Sequence, residues 1–269
     1  MTLVLAVWNE AGVALAADGL LTYGSGAPGS QQLPGEKLAR LGDRCAVGLV
    51  NEVNKARGMI EALQGSALAS EPTTGRTKAE WLALIREVIA SWTRGFLTDA
   101  VFVEGVSLDS QFETSILVIA GIASDGAFAW AVDWRCNYAG PDAPHYLAQG
   151  SGATSARIYL DAYSYFDVAE HPVVTLQALA ARVVTKVSGN NIEIGGEMSL
   201  VLIHRDTSAE HPDPMEFLSL SDLRVTESVT MWELLEEEMD HQLRKAWEQP
   251  VAAATVPHGA TTAPASGTS

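Results

Sequence analysis

The chain has 269 residues, 47% of them hydrophobic, and carries 17 basic against 33 acidic side chains, a net charge of −16. That length and apolar content can core one large domain or two small ones, and 11 prolines with 23 glycines exclude a collagen-like or disordered chain. Such acidity repels a phosphate backbone, and no stretch clusters Lys or Arg with aromatics, so nucleic acid is not an expected partner.

Two apolar strands open the chain, Leu3 to Trp8 and Gly12 to Ala17, with Asn9-Glu10-Ala11-Gly12 as the turn of a hairpin. Thr22 to Gly35 reads as a loop, after which Lys37 to Leu41 and Cys45 to Val50 form a second strand pair around Gly42-Asp43. Val53, Ala56, Ile60 and Leu63 then line one face of a first helix. The box Thr77-x-x-Glu80 starts a second helix, whose buried stripe is Trp81, Leu84, Ile85, Val88, Ile89 and Trp92.

Thr114 to Ala123 and Ala127 to Trp134 make another hairpin on an Asp125-Gly126 turn. Helices return at Ala153 to Tyr165 and Thr175 to Val187, and Met198 to His204 and Glu216 to Leu220 close with strands. Strands and helices thus arrive in runs. The order implies an α+β protein, a four-layer αββα sandwich of two antiparallel sheets flanked by helix pairs, with the sheets buried on both faces.

Residues 1–204 form the expected domain. Residues 205–249 form an acidic extension with 12 acidic and 4 basic side chains, half the net charge. In it Thr230-x-x-Glu233 reads as a second capping box, before a helix that aligns Trp232, Leu235, Met239, Leu243 and Trp247. Residues 250–269 lack Asp, Glu, Lys and Arg and read as a disordered tail.

The longest apolar runs are strand-sized, and no basic segment followed by a long apolar run opens the chain, so neither a membrane partner nor secretion is expected. Cys45 and Cys136 are accordingly read as buried thiols in a reducing cytoplasm, with one disulfide as the alternative. The six histidines show no i,i+4 pair and no cysteine partner, so no metal is expected, and no cofactor either. Gly24-Ser25-Gly26-Ala27-Pro28-Gly29 matches a dinucleotide fingerprint but runs into Gln31-Gln32-Leu33-Pro34, where that site needs a helix. Ser151 lacks a Gly-x-Ser-x-Gly frame, because position 149 is Gln.

Thr2 follows Met1, and a small second residue permits removal of the methionine. The exposed threonine would carry hydroxyl and α-amine on one residue, and an α-amine titrates at roughly 7.7–8.0, suited to general-base work. The returning strand of the hairpin ends in Asp18-Gly19, which brings Asp18 back beside the N-terminus. Lys37 opens the next strand, where Asp18 would neutralise and orient it while its ammonium lowers the pKa of the Thr2 groups.

On these residues, with Thr22-Tyr23-Gly24, Lys37-Leu38-Ala39-Arg40-Leu41 and Gly150-Ser151-Gly152, the chain resembles the proteasome β-type family of N-terminal-nucleophile (Ntn) hydrolases. The run Asp18-Gly19-x-x-Thr22-x-Gly24 is most similar to its bacterial HslV-like members. The resemblance covers residues 2–204 and implies a threonine-type endopeptidase. Thr2 is then the nucleophile, Asp18 and Lys37 the charge pair beside it, and Ser151 a hydroxyl near the α-amine. Asn51 would supply the oxyanion N–H, Thr22 the backbone bonds to an extended substrate, and Leu49 the floor of an apolar pocket.

The implied assembly is a homo-oligomeric stacked ring that admits unfolded polypeptides, with an ATP-dependent unfoldase as partner. Where the family has Gly, Asp and Ser, this chain has Asn51, Asn191 and Ile194. Two alternatives therefore stand beside the peptidase: a catalytically silent ring subunit that scaffolds or binds, and an Ntn amidase acting on a small amide.

Overall fold

A computed structural model of the chain describes residues 2–23, 31–50, 53–104, 116–142, 144–163, 168–190, 194–207, 212–219 and 222–248. The fold is α+β and contains two five-stranded antiparallel sheets. The first sheet places β1 (Leu3–Trp8) between β10 (Tyr146–Gly150) and β2 (Gly12–Ala17), and continues through β11 (Ser199–His204) to β12 (Met215–Ser219). The second runs in order from β5 (Leu38–Arg40) through β6 (Cys45–Val50), β7 (Ile116–Ala123) and β8 (Gly126–Asp133) to β9 (Tyr138–Ala139).

Side-chain alternation along the strands divides the interior into three apolar cores. Val4, Ala6, Val13 and Leu15 of the first sheet meet Ala46, Val118, Ala120 and Ala129 of the second. The opposite residues of β1, Leu3, Leu5 and Val7, face the helices α4 (Ala153–Ala162) and α5 (Val173–Asn190). On the other sheet, Val47, Ile119 and Phe128 pack against α1 (Val53–Gln64), the short α2 (Ala67–Ser70) and α3 (Lys78–Glu104), with Met59, Leu63, Leu68, Trp81 and Ile85 between them. This order fits a sandwich of two sheets between helices. It accounts for β1, β2 and β6 being apolar throughout, since every residue in them is buried.

Local chemistry sets the element ends as expected at two places. The Asn9 side-chain oxygen accepts the N–H groups of Ala11 and Gly12, which fixes the first hairpin turn. Thr77 and Glu80 bond reciprocally at the start of α3, the backbone N–H of Thr77 donating to Glu80 at 2.8 Å and that of Glu80 to Thr77 Oγ1 at 3.4 Å.

Elsewhere the structure corrects the sequence reading. The segment from Thr22 to Gly35 is not all loop: β3 (Leu20–Tyr23) pairs with β4 (Gln31–Pro34), the stretch matching the dinucleotide fingerprint lying outside the described residues. The ladder overrides a local composition rich in Gly, Pro and Ser. Thr230 does not cap a helix, because α6 (Leu223–Glu248) begins earlier and the Thr230 hydroxyl donates to the Thr226 carbonyl at 3.0 Å. Cys45 and Cys136 are both free. Cys45 is buried, whereas Cys136 is only half-buried and occupies a turn after β8 with φ 62°.

The chain divides into two compact units, Met1–Trp232 and Glu233–Ser269. The first extends past residue 204 because β12 pairs with β11 and because Val225 and Trp232 enter the α4–α5 core. The Trp232 indole stands edge-on to Tyr163 at 5.6 Å between centroids. Trp232→Ala is expected to lower the unfolding free energy by about 3–5 kcal/mol in urea titration, the cost of emptying a core aromatic site. The described part of the second unit is the helical run 233–248, with Glu233, Glu237 and Glu238 exposed.

Candidate active site

The first hairpin builds the site. In the β1–β2 register Val4 faces Ala17, so the residue after β2, Asp18, lies across from the start of β1. Its backbone N–H donates to the Leu3 carbonyl at 3.2 Å, and its Oδ1 accepts the Leu3 N–H at 2.7 Å. The aspartate that ends an apolar strand is thus tied to the residue beside Thr2.

Lys37 reaches the same oxygen from the second sheet. The β3–β4 hairpin returns the chain so that the Gly35 N–H donates to the Gly19 carbonyl at 3.0 Å, and the Lys37 carbonyl accepts the Leu49 N–H at 2.9 Å. From there Lys37 Nζ contacts Asp18 Oδ1 at 2.7 Å, with both side chains fully buried. Two successive contacts of 2.7 Å through one carboxylate oxygen therefore place the ammonium next to the backbone of residue 3.

Burial lowers the Lys37 pKa from its ordinary value. The charge of Asp18 and its hydrogen bond pull the other way. Asp18 Oδ2 is buried and makes no hydrogen bond among the described residues.

Ser151 lies in the two-residue turn that joins the edge strand β10 to α4. In the β1–β10 register Leu3 faces Gly150. Gly150 has φ 101°, and a Cβ there would lie 2.1 Å from the Thr2 carbonyl oxygen. Only glycine allows the chain to turn so close to Thr2. The turn presents Ser151 Oγ to the Thr2 nitrogen at 3.2 Å, and the Ser151 hydroxyl and the Gly152 N–H each approach the Thr2 carbonyl at 3.4 Å. Gly150→Ala is expected to destabilise the protein by more than about 2 kcal/mol, read as a fall in the denaturation midpoint, because it combines left-handed strain with a backbone clash.

The structure therefore brings Thr2, Asp18, Lys37 and Ser151 together from just before β1, just after β2, just before β5 and just after β10. Thr2 itself is only 3% exposed. Thr22 lies on β3 opposite Gln32. Leu49 is buried on β6 in the core beneath α1. Asn51 and Asn191 lie outside the described residues. Ile194 is buried beside the site, 2.5 Å from where a Cβ on Gly152 would sit. The requirement for glycine at position 150 is a part of the site that spacing alone does not disclose; the run Gly150-Ser151-Gly152 is its trace in the sequence.

Chemically, the arrangement sets the nitrogen of a threonine against a serine hydroxyl, next to a residue whose N–H is held by a buried ammonium–carboxylate pair. If residue 2 is the first residue of the mature chain, that nitrogen is a primary amine and can accept a proton. Among the described residues no group of three or more His, Cys, Asp or Glu could hold a metal ion, and no helix is long and apolar enough to cross a membrane. The chain matches no protein-family model and no curated protein.

Proposed function

We propose that the chain is a threonine-type endopeptidase with an Ntn-hydrolase fold, acting once Thr2 is the N-terminal residue. One observation carries the reading: the Thr2 nitrogen meets Ser151 Oγ at 3.2 Å beside the buried Lys37–Asp18 pair. Thr2 Oγ attacks the carbonyl carbon of the scissile peptide while its proton passes to the α-amine, directly or through water. A tetrahedral oxyanion forms, for which the Asn51 N–H is the proposed donor. The C–N bond then breaks, the leaving amine takes the proton from the α-ammonium, and an ester remains on Thr2.

Water, deprotonated by the same amine, attacks that ester and releases the carboxylic acid and Thr2 Oγ–H. The ammonium of Lys37 lowers the cost of developing negative charge on Oγ, and Asp18 holds the ammonium in place. Thr22 would align an extended substrate through its backbone, and Leu49 would floor an apolar pocket.

The proposed assembly is a cytoplasmic homo-oligomeric stacked ring that receives unfolded polypeptides from an ATP-dependent unfoldase. A second reading, a catalytically silent ring subunit, draws support from Ile194, an apolar side chain buried beside Gly152. Intact mass and N-terminal sequencing of the purified protein, paired with hydrolysis of a fluorogenic peptide series, separate the two. The peptidase requires a chain beginning at Thr2 and turnover; a retained Met1 with no turnover favours the silent subunit.

A further inference from the structure

Gly150 and Ser151 form an elbow between β10 and α4, and side chains without a part in the chemistry above tie its two arms together. β10 is an edge strand with β1 on one side. The Trp8 N–H donates to the His145 carbonyl, a phase of the ladder that turns the backbones of Leu147 and Gln149 toward β1 and those of Tyr146 and Ala148 away from it. These outward groups are occupied. The Asp142 N–H donates to the Tyr146 carbonyl at 3.0 Å, and the Ala148 N–H donates to Asp142 Oδ2 at 2.8 Å. Arg157 Nη2 donates to the Ala148 carbonyl at 3.0 Å and pairs with Asp142 Oδ1 at 2.9 Å.

Arg157 belongs to α4, the helix that leaves the elbow, and it reaches back to the strand that enters it. A second tie joins the same arms, the Tyr146 hydroxyl donating to Asp161 Oδ1 at 2.7 Å. Burial, with the Asp161 contact, pushes the Tyr146 hydroxyl up to about 12, so this tie stays a proton donor across working pH.

The contacts that the elbow delivers at Thr2, 3.2 Å and 3.4 Å, lie at and beyond the long end of the hydrogen-bond range and are weak restraints on the Ser151 side chain. The angle between β10 and α4 must set them. We infer that Arg157 and Asp142 are positioning residues, a clamp across the elbow that holds the Ser151 hydroxyl against the Thr2 nitrogen. This rests on the hydrolase reading of Thr2. The competing role is that the same ties only shield a sheet edge from foreign strands, which would leave Thr2 chemistry untouched.

A double-mutant cycle distinguishes these roles. The rate of Thr2 modification by a fluorescent peptide vinyl sulfone is measured in wild type, Arg157→Met, Ser151→Ala and the double variant, with Asp142→Asn as a second route should Arg157→Met fold poorly. The clamp predicts that Arg157→Met slows labelling about 10- to 100-fold where Ser151 is present, and less than about twofold where it is Ala, because its effect passes through Ser151. Equal losses in both backgrounds, or no loss in either, would overturn it.

Amide exchange supplies a readout independent of catalysis. Arg157→Met should speed exchange of the Ala148 and Gly152 N–H groups, and unchanged exchange at Gly152 overturns the clamp. Accelerated exchange in a protein whose wild type is never labelled at Thr2 upholds the clamp as architecture and defeats the hydrolase reading.

Discussion

Thr2→Ala is expected to abolish peptide hydrolysis, by at least about a thousandfold in kcat, while lowering the unfolding free energy by only about 1 kcal/mol. The variant keeps the α-amine and loses the hydroxyl nucleophile together with the γ-methyl, so no residue remains to accept the acyl group. Thr2→Ser restores the hydroxyl and should recover turnover to within about tenfold to a hundredfold of wild type, because the oxygen returns with a freer rotamer. Kinetics on a fluorogenic peptide, with folding monitored by circular dichroism, check both variants. Residual turnover in Thr2→Ala equal to wild type would place the chemistry elsewhere.

Lys37→Met carries the second large effect, on stability as well as on rate. It leaves Asp18 buried without its cation, and breaking a buried pair costs about 3–5 kcal/mol. Asp18→Asn combined with Lys37→Met removes both charges and should regain much of that stability with no gain in turnover. The comparison separates the fold's need for the pair from the chemistry's need for the ammonium.

The pair also fixes a pH dependence. The Lys37 pKa in the folded protein lies below the ordinary 10.5, chiefly through burial. Between the lowered value and 10.5 the unfolded chain therefore binds more protons at this residue than the folded one, and stability rises with pH across that window. Urea titrations at a series of alkaline pH values should show wild type gaining on Lys37→Met as pH approaches 10.5. A difference that stays flat or shrinks would contradict a lowered Lys37 pKa.

Where the site is local in sequence, its geometry is readable from residue spacing. Two six-residue strands on a short turn return Asp18 to the start of β1, and an apolar strand ending in a carboxylate marks the place. Lys37 is harder, since the hairpin β3–β4 intervenes and its Gly, Pro and Ser content hides the strand pairing. Ser151 depends on β10, a five-residue strand in which only the adjacent Leu147 and Ala148 are buried, so neither alternation nor a continuous apolar run announces it. The clamp of Asp142 and Arg157 is invisible to spacing, because it is defined by which backbone groups of an edge strand face outward.

The acidic end of the chain shows the opposite error. Thr230-x-x-Glu233 carries the letters of a capping box, but those residues also serve mid-helix. The burial of Val225 and Trp232 in the α4–α5 core selects the longer helix. Acidity at this end then falls on exposed positions such as Glu227, Glu233, Glu237 and Glu238, where glutamate is a solvated surface residue.

Trapping an ester on residue 2 tests most directly that it is an N-terminal nucleophile. Purified protein mixed briefly with an activated peptide ester, quenched in acid and digested, is mapped by tandem mass spectrometry. The predicted result is a peptide that begins at Thr2 with the acyl group on its side-chain oxygen, absent from Thr2→Ala. An acyl group found at another residue, or none on a chain that still begins with Met1, would contradict the account.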